Sequence, residues 1–213
     1  MGWLITFEGI EGCGKTTQVA LAGEYLQRLR IPFIITEEPG GTPFGKRIRE
    51  MLLTRNLFEP SAKAELLLFA ADRAQHVKEV IEPALEQGKA VLCDRFIDAT
   101  IAYQGFGRDL DIVLIKTLNA FSTGSLQPDL TLLFDLPVET ALMRVKARTV
   151  RKGLDAIDDR FEGEEAAFHR KVRQGYLQAA ADEPDRFRII DASPEISRIQ
   201  GEVEGHLARV LEI

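Results

Sequence analysis

The sequence predicts an α/β fold, a doubly wound parallel sheet of five strands with helices on both faces. Two observations carry this. Short apolar or β-branched runs alternate with stretches of helical periodicity along the chain, which is how strands covered on both faces by crossover helices read. The first run also gives way to three glycines and a lysine that lead straight into an amphipathic stripe, the order of a phosphate-binding strand, loop and helix. With 213 residues, 45% of them apolar, the chain can bury a full core, and one domain over residues 1 to 213 is expected.

The expected strands are WLITFE (3 to 8), FIITE (33 to 37), AVLCD (90 to 94), LTLLFD (130 to 135) and FRIID (187 to 191), several of which end in an acidic residue. Val19, Ala22, Tyr25, Leu26 and Leu29 form one helical stripe, and Ile196, Ile199, Val203, Leu207 and Val210 form another near the C-terminus. A long helical pattern runs from Ala62 to Gln87. Pro83 lacks a backbone N–H and is expected to interrupt that pattern and start a fresh turn. Residues 145 to 163 fall in a highly charged stretch without a clean apolar face, a composition that suits a mobile lid.

Charge and cysteine content exclude several classes. The 27 basic and 33 acidic residues leave a formal charge of −6, so neither nucleic acid nor an anionic membrane surface is an expected partner. There is no charged leader with an apolar core and no long apolar run, so a cytoplasmic, non-membrane protein is expected. Cys13 and Cys93 belong to no metal-binding spacing. Both read as small side chains beside turns, with a redox role at an exposed Cys13 as the lesser alternative.

The segment FEGIEGCGKTTQ (7 to 18) contains Gly9-x-x-x-x-Gly14-Lys15-Thr16. Gly9, Ile10, Glu11, Gly12, Cys13, Gly14, Lys15, Thr16 and Thr17 are therefore the candidate triphosphate cradle. Glycines admit phosphate oxygens to backbone N–H groups, the helix start adds its positive end, and Lys15 adds a point charge near the β and γ phosphates. Thr16 and Asp94, the latter at a strand's C-terminal end, are the candidate Mg²⁺ ligands, and Glu8 is a further one. A phosphate loop alone leaves a GTPase, a transport ATPase, a nucleotide-binding switch and a small-molecule kinase open.

Further segments narrow the choice. EPGGTP (38 to 43), FAADR (69 to 73) and DRF (94 to 96) follow the phosphate loop, and a charged lid stretch comes after them. In these segments and their order the chain resembles the thymidylate kinase family over essentially its whole length. The resemblance implies the P-loop nucleoside-monophosphate-kinase fold and transfer of phosphate from MgATP to dTMP, a step toward dTTP for DNA replication. Another kinase of the same architecture is the nearest alternative. The resemblance also implies a homodimer.

The residues between these segments fit that implication. Arg49 and Arg95 can clamp an acceptor monophosphate, because a guanidinium meets two phosphate oxygens at once. Phe69 and Arg73 lie four apart on one helix face, a ring to stack on a base and a donor to reach its edge. By resemblance, Phe69 stacks on thymine, Arg73 donates to its O4, Thr100 and Gln104 make the remaining pyrimidine contacts, and Tyr103 lies against the sugar. Glu38 is expected to brace the phosphate-binding arginines, and Arg144 to lie against adenine. Where some relatives carry an arginine in the phosphate loop, this chain has Glu11, while arginines crowd the lid stretch. The catalytic arginine is therefore expected from the lid, Arg151 first and Arg148 second. The family's arginine ahead of EPGGT is here Glu37.

Overall fold

The computed structural model describes residues 2 to 54, 59 to 151 and 160 to 213. Five parallel strands, β1 (Trp3–Glu8), β2 (Phe33–Glu37), β3 (Ala90–Asp94), β4 (Leu130–Asp135) and β5 (Phe187–Asp191), form one sheet in the order β2-β3-β1-β4-β5. Strand limits coincide with the runs read from the sequence. All five strands end in Glu or Asp, so the C-terminal edge of the sheet carries a row of carboxylates. β1, β3 and β4 are buried along nearly their whole length. The outer strands differ from expectation: β2 and β5, at the sheet edges, expose alternate residues, Ile35 and Ile189 among them, so one face of each is incompletely covered.

Helices α1 (Lys15–Arg28), α2 (Pro43–Leu53), α3 (Ala62–His76), α4 (Glu82–Glu86), α5 (Ile97–Thr100), α6 (Ile112–Thr123), α7 (Val138–Arg151), α8 (Ala166–Asp182) and α9 (Ile196–Val210) fill the crossovers. In α1 the stripe holds at Val19, Ala22 and Leu26, whereas Leu29 is the exposed capping residue past its end. α9 buries Ile199, Val203 and Leu207 and leaves Ile196 exposed. Pro83 lies in the first turn of α4, the fresh turn expected, but the helical path is not broken ahead of it. A π-helical segment, Val77–Ile81, runs directly into α4, and the Glu82 N–H bonds back to the Val77 carbonyl five residues earlier. That wider turn accommodates the pyrrolidine ring and its missing donor without a break. A second π segment, Ile101–Gly107, continues α5 and packs against α8. Cys13 is buried, as is Cys93, which removes the exposure on which a redox role for Cys13 depended.

β1 and β3 pair with Phe7 opposite Asp94. The chain leaves β1 toward one side of the sheet and later passes from β3 to β4 on the other, so the loops after β1 and β3 meet where the winding reverses. Open α/β sheets receive their ligands there.

Candidate active site

The loop from Gly9 to Gly14 is shaped by backbone that side chains rarely adopt. Gly12 has φ +78°, and a Cβ on it would come within 2.4 Å of the Ala141 carbonyl oxygen on α7. Gly14, at φ +97°, caps the start of α1, whose first residue is Lys15. Ile10 and Cys13 send their side chains into the core and can offer a ligand only backbone, while Thr17 is exposed on the first turn of α1. Lys15 Nζ folds back over the loop and donates to the Gly9 and Ile10 carbonyls at 3.0 and 2.9 Å. Beside it, the exposed Thr16 hydroxyl donates to Asp94 Oδ2 at 2.7 Å, which joins the helix start to the end of β3 through two hard oxygen atoms.

Glu8 and Glu11 flank this loop in opposite states. Glu8 is fully buried, accepts from the Phe96 N–H (2.7 Å) and the Tyr176 hydroxyl (2.8 Å), and has its pKa pushed well up, by burial first and by Asp98 second. With a hydrogen bond to each oxygen it braces the loop after β3, and it does not line the cleft that Thr16 and Asp94 share. Burial would also raise Glu11, but Arg95, Lys15 and Arg148 outweigh it and lower its pKa to about 2.

Arg95 joins the two halves of the site. It sits at φ +70°, a strained conformation for a side-chain-bearing residue. Its guanidinium donates to the Gly9 carbonyl and the Tyr176 hydroxyl, each at 3.0 Å, pairs with Glu11 and lies 4.9 Å over the Tyr103 ring. Arg49, on α2, donates to the Pro39 carbonyl at 2.6 Å and to Glu37 at 3.0 Å. The acidic residue that departs from the family pattern is thus the ion partner of the other candidate phosphate clamp.

Arg73 is buried to 1% exposure on α3. Four of its five guanidinium N–H groups are donated: to Glu38 (2.8 Å), Asn119 (2.8 Å), the Phe96 carbonyl (3.1 Å) and Thr100 Oγ1 (2.9 Å). Glu38 also accepts from His76 Nδ1 at 2.9 Å, and His76 Nε2 lies 2.6 Å from the Thr36 hydroxyl. Glu38 therefore braces Arg73, not Arg49 or Arg95, the pair it was expected to brace. Neighbouring Asp72 accepts from the Gly40 N–H at 3.1 Å, and its other oxygen is buried with no partner among the described residues. Burial, then the charge on Glu38, raise its pKa to about 6.

These groups line one cleft: Lys15, Thr16 and Asp94 toward the phosphate loop, and Phe69, Arg73, Thr100, Tyr103 and Gln104 toward α3, with Glu11, Glu38, Arg49, Arg95 and Arg148 also on its walls. Arg148, paired with Glu162, reaches the cleft; Arg151, the sequence's first choice, is exposed at the end of α7 and is not among the lining residues. The lid residues 152 to 159, with the Lys152 to Asp155 segment that follows Arg151, lie outside the described residues. Arg144 donates to the Ala192 and Ser193 carbonyls and so ties α7 to the loop after β5. Sequence reasoning missed Phe161 and Glu162 on the cleft wall and Tyr176 behind Arg95. Phe161 packs on Phe69 and edge-on to Tyr103 at 5.5 Å. Its place in a run without apolar periodicity hid it.

The fold and cleft define a nucleotide kinase of the P-loop nucleoside-monophosphate-kinase class. The family model described as thymidylate kinase matches residues 7 to 203. The chain is 55% identical over 207 residues to the thymidylate kinase of Syntrophus aciditrophicus (strain SB), covering 97% of this chain and 94% of that one. It is 50% identical over 209 residues to that of Desulfosudis oleivorans (strain DSM 6200 / JCM 39069 / Hxd3), covering 98% of each. The crystal structure of thymidylate kinase from Ehrlichia chaffeensis superposes with a TM-score of 0.76 at 33% identity, over 97% of this chain and 98% of that one. The chain belongs to the thymidylate kinase family.

Proposed function

We propose that the chain transfers the γ-phosphoryl group of ATP to dTMP, giving dTDP for dTTP and DNA synthesis. The observation that best supports this is the single cleft that runs from Lys15 and Thr16 to Phe69 and Arg73. A nucleotide switch has use for the first end only. Phosphoryl transfer asks for positioning and positive charge more than for covalent chemistry. In this reading ATP lies on residues 9 to 17, with Arg144 toward the adenine. Lys15 and a lid arginine, Arg148 ahead of Arg151, meet the charge on the migrating group. Arg95 and Arg49 hold the acceptor phosphate, whose oxygen is already anionic, so no strong base is required.

The remaining Arg73 N–H serves the thymine O4, Phe69 stacks on the ring, Thr100 and Gln104 complete the pyrimidine contacts, and Tyr103 crowds the sugar at C2′. The oxygen pair of Thr16 and Asp94 suits a hard cation and would hold Mg²⁺. Bound there, Mg²⁺ would neutralise charge on the β and γ phosphates. Residues 145 to 163 act as the lid of a single domain 1 to 213, and its closure keeps water from the phosphoryl group.

Val113, Leu114 and Phe121 on α6 and Leu67 on α3 are exposed apolar side chains on two helices that pack together, the basis for proposing a homodimer over this face. Among the described residues no helix is long and apolar enough to cross a membrane; a cytoplasmic location, without membrane or nucleic-acid partners, is part of the proposal. The test is MgATP-dependent ADP release with dTMP, dUMP, dCMP, dGMP and dAMP as separate acceptors. Preference for dTMP is expected. ATP binding with no stimulation by any monophosphate would leave the switch as the reading.

A further inference from the structure

We propose that Glu65 is a positioning residue for base choice: its carboxylate fixes the Gln104 amide so that only the amide oxygen faces the base. The cleft then selects pyrimidines that carry a hydrogen on N3. The inference rests on the reading above that the base lies among Phe69, Arg73 and Gln104.

Glu65 is fully buried on α3, four residues before Phe69 and eight before Arg73, hence on the same helix face. Gln104 Nε2 donates to Glu65 Oε1 at 2.7 Å. Gln104 lines the cleft and Glu65 does not, so the amide nitrogen is turned toward the protein. With one amide N–H committed to Glu65, the amide oxygen is the acceptor that Gln104 keeps for a ligand. An isolated glutamine amide can turn over at little cost. A carboxylate accepts and never donates, so the reversed amide would set oxygen against oxygen in a buried place and leave its own N–H groups without this partner.

Glu65 is itself held. Arg108 Nε and Nη2 reach its two oxygens at 3.4 Å, Arg160 pairs with Oε2, and Arg108 is anchored in turn to Glu164 at 2.6 Å. Arg160 also donates to the Leu52 carbonyl at 3.0 Å, which fastens the end of the lid stretch to α2 and α3. The chemistry of discrimination follows. Thymine and uracil present N3–H to the Gln104 oxygen. Cytosine presents a bare N3, acceptor to acceptor, and a buried group goes unpaired.

The experiment measures kcat and KM for dTMP and dCMP in Glu65→Gln, Gln104→Ala and the double variant. Glu65→Gln keeps the shape but can offer its own N–H to Gln104, so the amide is free to turn. The dTMP to dCMP ratio of kcat/KM is expected to fall at least tenfold, through KM for dTMP, with KM for ATP unchanged. In the Gln104→Ala background, Glu65→Gln is expected to leave the ratio where Gln104→Ala put it, because Glu65 acts through Gln104. An unchanged ratio in Glu65→Gln, with Gln104→Ala still lowering it, overturns the positioning role and keeps the pocket. An unchanged ratio in Gln104→Ala instead removes Gln104 from base recognition, and the proposal falls with it. If Glu65→Gln does not fold, Glu65→Asp decides: it keeps the charge for Arg108 and Arg160 but withdraws the oxygen from Gln104. A folded Glu65→Asp of lower melting temperature and unchanged ratio makes Glu65 structural only, and so overturns the proposal.

Discussion

The two ends of the cleft are built by different means. The phosphate loop is a run of consecutive residues whose working groups are backbone N–H groups, a helix start and Lys15, and its glycines hold it in shape through contacts such as Gly12 on α7. The acceptor end is assembled from α2, α3, the π segment at 101 to 107 and residues 160 to 162, and its side chains are bonded to one another before any ligand arrives. A backbone site can lose a side chain and keep its shape. A site made of mutually bonded side chains loses shape and chemistry together.

Arg148 and Arg151 give the largest expected effect, because they ask which part of α7 serves both ends. Arg148 lies on the cleft wall and contributes to holding Glu11 ionised. Removing a transition-state arginine costs on the order of 10³-fold or more in turnover. Arg148→Ala is expected to lower kcat on that scale with dTMP binding nearly unchanged, and Arg151→Ala to cost less than tenfold. Steady-state kinetics with saturating ATP would reverse the assignment if Arg151→Ala proved the more damaging.

Lys15→Ala and Arg73→Ala test the contrast directly. Lys15 is held by two loop carbonyls, and its loss is expected to lower kcat by roughly 10²- to 10³-fold, the usual cost of one preorganised charge donor, with a small change in melting temperature. Arg73→Ala removes four hydrogen bonds and leaves Glu38 buried without its guanidinium. Breaking a buried pair from one side costs about 3 to 5 kcal/mol, so a large drop in melting temperature should accompany the rise in KM for dTMP. Equal melting temperatures in the two variants would erase the distinction between the ends.

The same contrast explains what the sequence revealed. Every strand and the phosphate loop could be read because their signals are local: a run of β-branched residues, or glycines at fixed spacing before Lys15. Phe69 and Arg73, four residues apart on one helix, were singled out by that spacing together with the family resemblance. Tyr176 lies 81 positions from Arg95, and Arg160 lies 95 from Glu65, so no window contains both members of either pair. Pro83 marked the fresh turn at the start of α4, but nothing in the sequence pattern announced the π segment just upstream that carries the helix into it. Charge in a lid does not say which side chain faces inward, so the order of Arg148, which lines the cleft, and Arg151, which does not, could not be read from the sequence.

The smallest effect belongs to Asp72, and it asks whether the acceptor end carries a cost that the phosphate loop does not. Glu11 is ionised among cations, whereas Asp72 is buried beside Glu38 with one oxygen unpartnered and a pKa near 6. Its folded pKa exceeds that of an unfolded aspartate, so the folded protein holds a proton that the unfolded chain has lost between about pH 4 and 6. Stability from this group is therefore greatest at low pH and falls as pH rises through that window, and the full cost is present above it. Asp72→Asn carries no charge and can keep the bond to the Gly40 N–H through its amide oxygen. It is expected to raise stability at pH 7 to 8 by on the order of 1 to 2 kcal/mol, with the gain vanishing toward pH 4. Urea unfolding of both proteins across that range would check it. A loss of stability in Asp72→Asn at every pH would mean that the charge itself is needed to hold the glycine turn at residues 40 and 41.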